Sequence, residues 1–333
     1  MRGEVARVDF GGCVLMLEDG SLLRATVRGR LMGPRKSLGN GVVVGDRAHY
    51  EPIGRSSDGA PAPEAPGGPR RPGDPAAVIT HVEPRRNAFS RRTAGRQVGE
   101  QVVAANLDQL VLVSSYGEPV FRPGFADRVL CQAERAGLPA RLVLAKMDLA
   151  EREPGGAASA RRILQAYESA GYPGHAVCAR SGQGIRGLLA ACRGQRSLFV
   201  GHSGVGKSTL LNAMVPGLDL LVGRVNPSTG KGRHTTTAAW LVRPEPGLEL
   251  VDTPGLRAFG LWGIEPRHLD RFYREFRNVG ACRFRDCSHA REPDCALREA
   301  VARGEISEPR YASFLKLREE LEREAAAQAP GSR

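Results

Sequence analysis

The stretch RSLFVGHSGVGKSTLLNAMV, residues 196–215, decides the fold. A short apolar run, LFV, enters a glycine-rich turn, and a helix-forming run, TLLNAMV, leaves it. The turn itself, GHSGVGKS (201–208), fits G-x-x-x-x-G-K-[ST]. In that pattern glycines let backbone N–H groups curl around phosphates, Lys207 reaches the β and γ phosphates, and the Ser208 hydroxyl ligates Mg²⁺. The spacing nominates Gly201, His202, Ser203, Gly204, Val205, Gly206, Lys207, Ser208 and Thr209 as a phosphate cradle. A plain glycine-rich turn is the alternative, and the strand–loop–helix context disfavours it.

Working outward, LELVDTPG (248–255) is an apolar strand ending in Asp252 and followed by Gly255. An acidic residue at the tip of a neighbouring strand holds Mg²⁺ through water, and the Gly255 N–H is placed to sense a γ-phosphate. Between these motifs lies GKGRHTTT (230–237), where Thr235, Thr236 and Thr237 offer a second Mg²⁺ ligand from a mobile loop. A polar approach to the next strand is the other reading of that loop.

Upstream, LVLAKMDL (142–149) carries one of only five lysines in a chain with 48 Lys and Arg residues. A strand followed by [NT]-K-x-D is how GTPases read guanine. The Asp148 carboxylate accepts from the base N1–H and exocyclic amine, while the Lys146 stem packs over the ring and braces the phosphate loop. Adenine presents the wrong donors, so a P-loop ATPase or kinase is disfavoured. A compact ammonium on a flexible stem accounts for lysine at both 146 and 207. Ala145 and Met147 complete the element, and CARSG (178–182) is its companion loop, with the Ala179 N–H toward the base oxygen. The order is reversed, because base reading precedes the phosphate loop and the switch. A circular permutation follows, tolerated because a sheet packs by neighbours rather than by chain order.

Strands are expected at 108–115, 140–146, 174–179, 196–200, 238–244 and 248–252, with helices over 125–137 and 157–171 between them. Several runs are apolar without alternation, as buried central strands should be. PEPG (244–247) joins two strands as a hairpin, so the sheet is mixed. Residues 1–85 show short alternating runs broken by glycines and read as an OB-fold-like β-barrel, interrupted by a disordered Pro/Gly-rich insertion at about 53–77. The expected divisions are the barrel at 1–85, a linker at 86–105, the permuted GTPase domain at 106–262, and a helical metal-binding domain at 263–333 ending in an amphipathic helix over 310–329.

The formal charge of +12 and pI near 9.9 raise the expectation of a polyanionic partner, nucleic acid first. The arginine-rich PRRNAFSRRTAGR (84–96) is one place for phosphate contacts, and a solvated linker is the other reading. No run approaches the roughly 18 apolar residues of a membrane span and no signal-peptide stretch opens the chain, so a soluble, cytoplasmic protein is expected. Seven cysteines are odd in number, and three crowd into CRFRDCSHAREPDC (282–295). There Cys282, Cys287, His289 and Cys295 form C-x4-C-x-H-x5-C, the Cys₃His set of a closed, structural zinc site.

Barrel, AANLDQLVLV (104–113), permuted motif order, GRHTTT and zinc spacing together resemble the RsgA (YjeQ) family of ribosome-assembly GTPases, and the resemblance spans nearly the whole chain. It implies a monomeric cytoplasmic GTP hydrolase, using Mg²⁺ with GTP and one structural Zn²⁺, that binds the small (30S) ribosomal subunit and its 16S rRNA late in maturation. The GTP form is expected to dock, with the subunit ordering the 225–237 loop and stimulating hydrolysis before the GDP form leaves. Ala145 departs from the family, which has asparagine there. Leu256 follows DTPG where many GTPases place a water-orienting glutamine, so catalysis is assigned to Lys207 and to His234, as water-positioning group or base. A solvent-facing loop histidine is the other reading of His234. The competing class is an RNA-binding assembly protein with vestigial nucleotide binding, favoured by Ala145 and opposed by the complete phosphate loop.

Overall fold

The structure, a computed structural model, describes residues 1–9, 12–31, 40–53, 75–93, 98–218, 239–256 and 258–328. Most of the expected insertion (54–74) and the loop carrying His234, Thr235, Thr236 and Thr237 lie outside the described residues.

Six strands form the central sheet: β8 (Gln109–Ser115), β9 (Ala140–Ala145), β10 (Gly174–Ala176), β11 (Gln195–Gly201), β12 (Trp240–Glu245) and β13 (Leu248–Asp252). They lie in the order β10-β9-β8-β11-β13-β12. All pairings are parallel except β12 with β13, the expected hairpin. Every residue of β8 is buried, which is why its run shows no alternation. Helices α1 (Pro123–Arg135), α2 (Met147–Arg152), α3 (Gly156–Glu168), α4 (Ile185–Cys192) and α5 (Lys207–Met214) connect the strands. Two apolar clusters result, one containing Leu110, Leu112 and Leu142, the other Val111, Val113 and Phe199. Alternate residues of the same strands fill them, as the period-two direction of side chains requires.

Strands β1 (Arg2–Asp9), β2 (Gly12–Met16), β3 (Leu22–Val27), β4 (Arg47–Pro52) and β5 (Ala77–Val82) pair in the cycle β1-β2-β3-β5-β4-β1. That closed five-stranded barrel has the connectivity of an OB-fold, with its own core around Val5, Leu15 and Ile79. Strand β1 shifts register between Val5 and Arg7 and then pairs Arg7 with Trp240, so barrel and central sheet share one hydrogen-bonded surface. Arg196, only 5% exposed, ties them further: it donates to Glu4 of β1 at 2.9 and 3.0 Å and to Glu249 of β13 at 2.6 Å.

Residues 86–105 differ from the expected linker. β6 (Ala88–Arg92) and β7 (Glu100–Ala105) form a two-stranded antiparallel sheet. Phe89 is fully buried and stacks on Phe259, with ring centroids 5.7 Å apart. The arginines of the basic run that are among the described residues have partners within the protein. Arg85 pairs with buried Asp46 at 2.7 and 2.9 Å, Arg86 donates to the Leu107 carbonyl and to Asp108, Arg91 donates to Gln101, and Arg92 pairs with Glu324.

The C-terminal part holds two 3-10 turns (Pro266–Phe272 and Arg274–Asn278), α6 (Ala296–Ala302) and the long α7 (Glu308–Gln328). Arg310 of α7 is 3% exposed and pairs with Asp127 of α1 and, at 2.7 Å, with Glu275. Tyr167 donates to Asp127 at 2.9 Å, and the guanidinium lies 4.8 Å from both the Tyr167 and Tyr273 ring centroids. Burial disfavours a charged guanidinium, but Asp127 and Glu275 outweigh it and hold Arg310 firmly ionised. Asp127→Ala removes one of the two carboxylates that hold this buried charge and should cost about 3 kcal/mol. A thermal midpoint equal to wild type refutes this.

Candidate functional site

Parallel register brings the three motifs to one edge. Gly201 pairs with Val113, Ser115 with Ala145, and Phe199 with Asp252, so the carboxyl ends of β11, β9 and β13 open on the same side of the sheet. Ligands of open α/β sheets bind at such an edge. Chain order does not enter, because the pairing is set by which strands are neighbours.

The phosphate loop joins β11 to α5. Gly206, at φ +93°, caps the helix in a conformation that side chains rarely adopt, and Lys207 is the first helical residue. Val205 is 3% exposed and packs into the core, so it anchors the loop while its neighbours face outward. Ser203, Gly204, Ser208 and Thr209 are exposed. Lys207 is 5% exposed, and its ammonium donates to the Asp252 carboxylate and the Thr253 carbonyl. Thr253 in turn donates to the Phe199 carbonyl at 2.7 Å, which fixes the strand end.

The switch segment is stitched to the loop through backbone groups. Leu256 N–H donates to Gly201 O at 3.0 Å, and Ser203 N–H donates to Leu256 O at 3.2 Å. A Cβ on Gly255 would stand 2.9 Å from the Ser203 Cα, so no larger residue fits without displacing the loop. The Leu256 side chain is 8% exposed within the core, so no water-orienting group comes from that position.

Lys146 has a left-handed backbone, φ 62° and ψ 39°, and caps the start of α2. That turn sends its ammonium across to the phosphate loop, where it donates to Gly204 O at 2.7 Å and to Glu118 O. Partial burial draws this ammonium below the usual lysine range, while Asp148 and Glu118 oppose the shift. The Asp148 carboxylate accepts from the Cys178 thiol at 3.6 Å and lies 3.9 Å from Arg180 and 4.0 Å from Arg152. Ala145, Lys146, Asp148, Ala179 and Thr209 line a cavity of about 280 Å³ together with Leu149, Arg180 and Leu210. Met147 packs into the core and lines none of it. The sequence reading missed Cys178, Arg180 and Leu149. In CARSG the local pattern points to the alanine, and only the fold shows that its cysteine faces the aspartate.

The four metal-type ligands also converge. Cys282 Sγ lies 3.8 Å from Cys295 Sγ and 3.5 Å from His289 Nδ1, which is 3.5 Å from Cys295 Sγ. All four ligand atoms fall within 4.8 Å of one another. A tetrahedral zinc with Zn–S of about 2.3 Å and Zn–N of about 2.05 Å has edges of about 3.8 Å between sulfurs and about 3.6 Å from sulfur to nitrogen. The cluster therefore fits a zinc ion. His289 turns its Nε2 toward Asp270 at 4.0 Å, and Tyr311 of α7 donates to its carbonyl at 2.6 Å. Cys295→Ser should abolish stoichiometric metal in the purified chain, and elemental analysis that finds metal retained would refute the four-ligand site.

A phosphate loop, a guanine-type reading element and a DTPG switch in permuted order on one sheet edge define a circularly permuted P-loop GTPase. The RsgA GTPase family model matches residues 82–262. The small ribosomal subunit biogenesis GTPase RsgA of Gemmatimonas aurantiaca is 44% identical over 245 residues, covering 73% of this chain and 78% of its own. That of Porphyromonas gingivalis is 36% identical over 326 residues, covering 96% and 97%. The crystal structure of YjeQ from Thermotoga maritima superposes with a TM-score of 0.69 at 31% identity, covering 96% of this chain and 98% of that one. YloQ, described as a circularly permuted GTPase, shares the fold with a TM-score of 0.66. The chain belongs to the RsgA family of GTPases.

Proposed function

We propose that this protein hydrolyses GTP and couples that cycle to late maturation of the small ribosomal subunit, binding the subunit and its 16S rRNA in the GTP form and leaving as the GDP form. One observation carries the nucleotide reading: Lys146 bridges the base element and the phosphate loop through Gly204, placing Asp148 in a cavity beside the start of α5. The partner rests on the names of the Gemmatimonas aurantiaca and Porphyromonas gingivalis relatives, both small ribosomal subunit biogenesis GTPases. A ribosomal partner implies a cytoplasmic protein, and no helix among the described residues is long and apolar enough to cross a membrane.

In this reading Asp148 accepts from the guanine N1–H and amine, and the Ala179 N–H faces the base oxygen. Phosphates lie against the N–H groups of Gly204 to Thr209 and take over the Lys207 ammonium from Asp252. Ser208 and Asp252, with a threonine among Thr235, Thr236 and Thr237, form the hard oxygen set that suits Mg²⁺, which neutralises phosphate charge when bound. Gly255 senses the γ-phosphate, and His234 orients the attacking water. Cys282, Cys287, His289 and Cys295 hold one structural Zn²⁺ that stabilises the C-terminal fold.

Hydrolysis should be slow in isolation, rise at least about tenfold with small subunits, and be absent with ATP. Equal turnover of ATP, or no response to subunits, overturns the proposal; His234→Ala should slow single-turnover hydrolysis on the subunit. Ala145 removes one hydrogen bond to the base, worth about 0.5–1.5 kcal/mol. Ala145→Asn should accordingly tighten GDP up to about tenfold by titration calorimetry. Unchanged affinity would mean that the asparagine's partners are absent here.

A further inference from the structure

A cavity of about 760 Å³ lies between α1, the start of the phosphate loop, the segment after the switch and α7, and it shares no lining residue with the base cavity. Space exists there because its walls are small at Gly124, Ala258, Gly260 and Ala312. The apolar part of the lining is aromatic, with Phe121, Phe125 and Phe259. Those rings are held in place by others: Phe121 meets Tyr167 edge-on, Phe259 stacks on Phe89, and Phe125 meets His202 edge-on, each with centroids 5.7 Å apart. His202 Nδ1 is already engaged with the Ser203 carbonyl at 2.9 Å. The aromatic wall is thus preformed.

Charge is left over at the same cavity. Its two carboxylates are both neutralised, Glu320 by Arg128 of α1 and Glu324 by Arg92 of the β6–β7 sheet. Arg122, which caps the start of α1, and Lys316 of α7 also line it and are exposed. Neither side-chain cation has a hydrogen-bond or ion-pair partner among the described residues. The lining therefore carries two uncompensated positive charges beside an aromatic wall. Cavities of about 300–1,000 Å³ between domains, mostly apolar with a few placed polar groups, are where small molecules bind.

We propose that this interdomain cavity is an effector site for a small aromatic carboxylate, whose ring enters among Phe121, Phe125 and Phe259 and whose anion pairs with Arg122 and Lys316. Ring contacts edge-on or offset match the way these side chains already meet one another. An acidic polypeptide would satisfy the two cations but would leave the aromatic wall empty. The cavity touches the phosphate loop through His202 and the switch segment through Phe259 and Gly260, which follow Gly255. A ligand held between them is linked to the nucleotide state that moves that segment, and such linkage is reciprocal. The site goes beyond the reading of the protein as a GTPase, and only the linkage rests on that reading.

The test uses the full, metal-loaded chain saturated with GDP and the probe 8-anilinonaphthalene-1-sulfonate, a ring system bearing one anion, followed by fluorescence titration. Ala312→Trp fills the cavity from an exposed position of α7 and should abolish saturable binding of the probe. Arg122→Gln with Lys316→Gln should weaken it about fivefold, as two exposed ion pairs allow, and should leave the uncharged analogue N-phenyl-1-naphthylamine unaffected. 2-Naphthoate should displace the probe and polyglutamate should not. Wild-type affinity in either variant, or displacement by polyglutamate alone, overturns the site. When a non-hydrolysable GTP analogue replaces GDP, the affinity for the probe should change at least about fivefold. Equal affinity in the two forms overturns the effector role. A chain that loses the probe on Ala312→Trp yet binds no guanine nucleotide sinks the nucleotide reading alone. One that binds GDP but holds the probe equally well with Ala312→Trp sinks this proposal alone.

Discussion

The arrangement depends on how the phosphate loop is held. Its glycines give it little side-chain packing of its own beyond Val205, so neighbours must help fix it. From one side the Lys146 ammonium grips the Gly204 carbonyl; from the other the Leu256 backbone grips Gly201 and Ser203. From below, Val205 enters the core. Base element, phosphate loop and switch are thereby one mechanical unit, although they are separated along the chain. The two Leu256 ties are backbone to backbone and survive substitution, whereas the third depends on the Lys146 side chain.

Permutation gives that unit its outputs. The switch strand β13 no longer returns to the sheet; it runs past Leu256 to Phe259 and Gly260, where the β6–β7 sheet closes over it through Phe89 and an Arg92 N–H bond to Gly260 O of 3.0 Å. From there the chain enters the C-terminal domain, which is fastened back to α1 and α3 by the buried Arg310 cluster. On the opposite flank, Arg196 at the start of β11 fastens the barrel through Glu4. Both flanking domains are thus attached to strands and helices that carry the nucleotide motifs, and both attachments use buried charge. A buried ion pair adds little stability over a hydrophobic contact but tolerates few alternative geometries, so these contacts set orientation more than they add free energy.

Much of this was legible in the residues because the signals are local. Six strands of the central sheet fall where unalternated apolar runs place them, with ends moved by a residue or two and β10 stopping at Ala176. The four metal ligands also converge as their spacing predicts. The β6–β7 sheet was missed for a physical reason. Its buried side chains are few, Phe89, Ser90, Ala104 and Ala105, while its other positions are polar or only half-buried, so an arginine-rich run masked a half-buried strand. The same run looked like an RNA-binding stretch because sequence shows charges without their partners.

By itself the sequence determined the chemistry available: which residues can cradle phosphate, read a base or hold a metal, since those capacities belong to side-chain type and short spacing. Tertiary structure alone decided which of them meet. Parallel register brought residues 145, 201 and 252 to one edge regardless of their order. Long-range pairing also consumed most arginines of one basic run. Such outcomes depend on contacts between distant segments, and no local pattern encodes the partner that a charge will find.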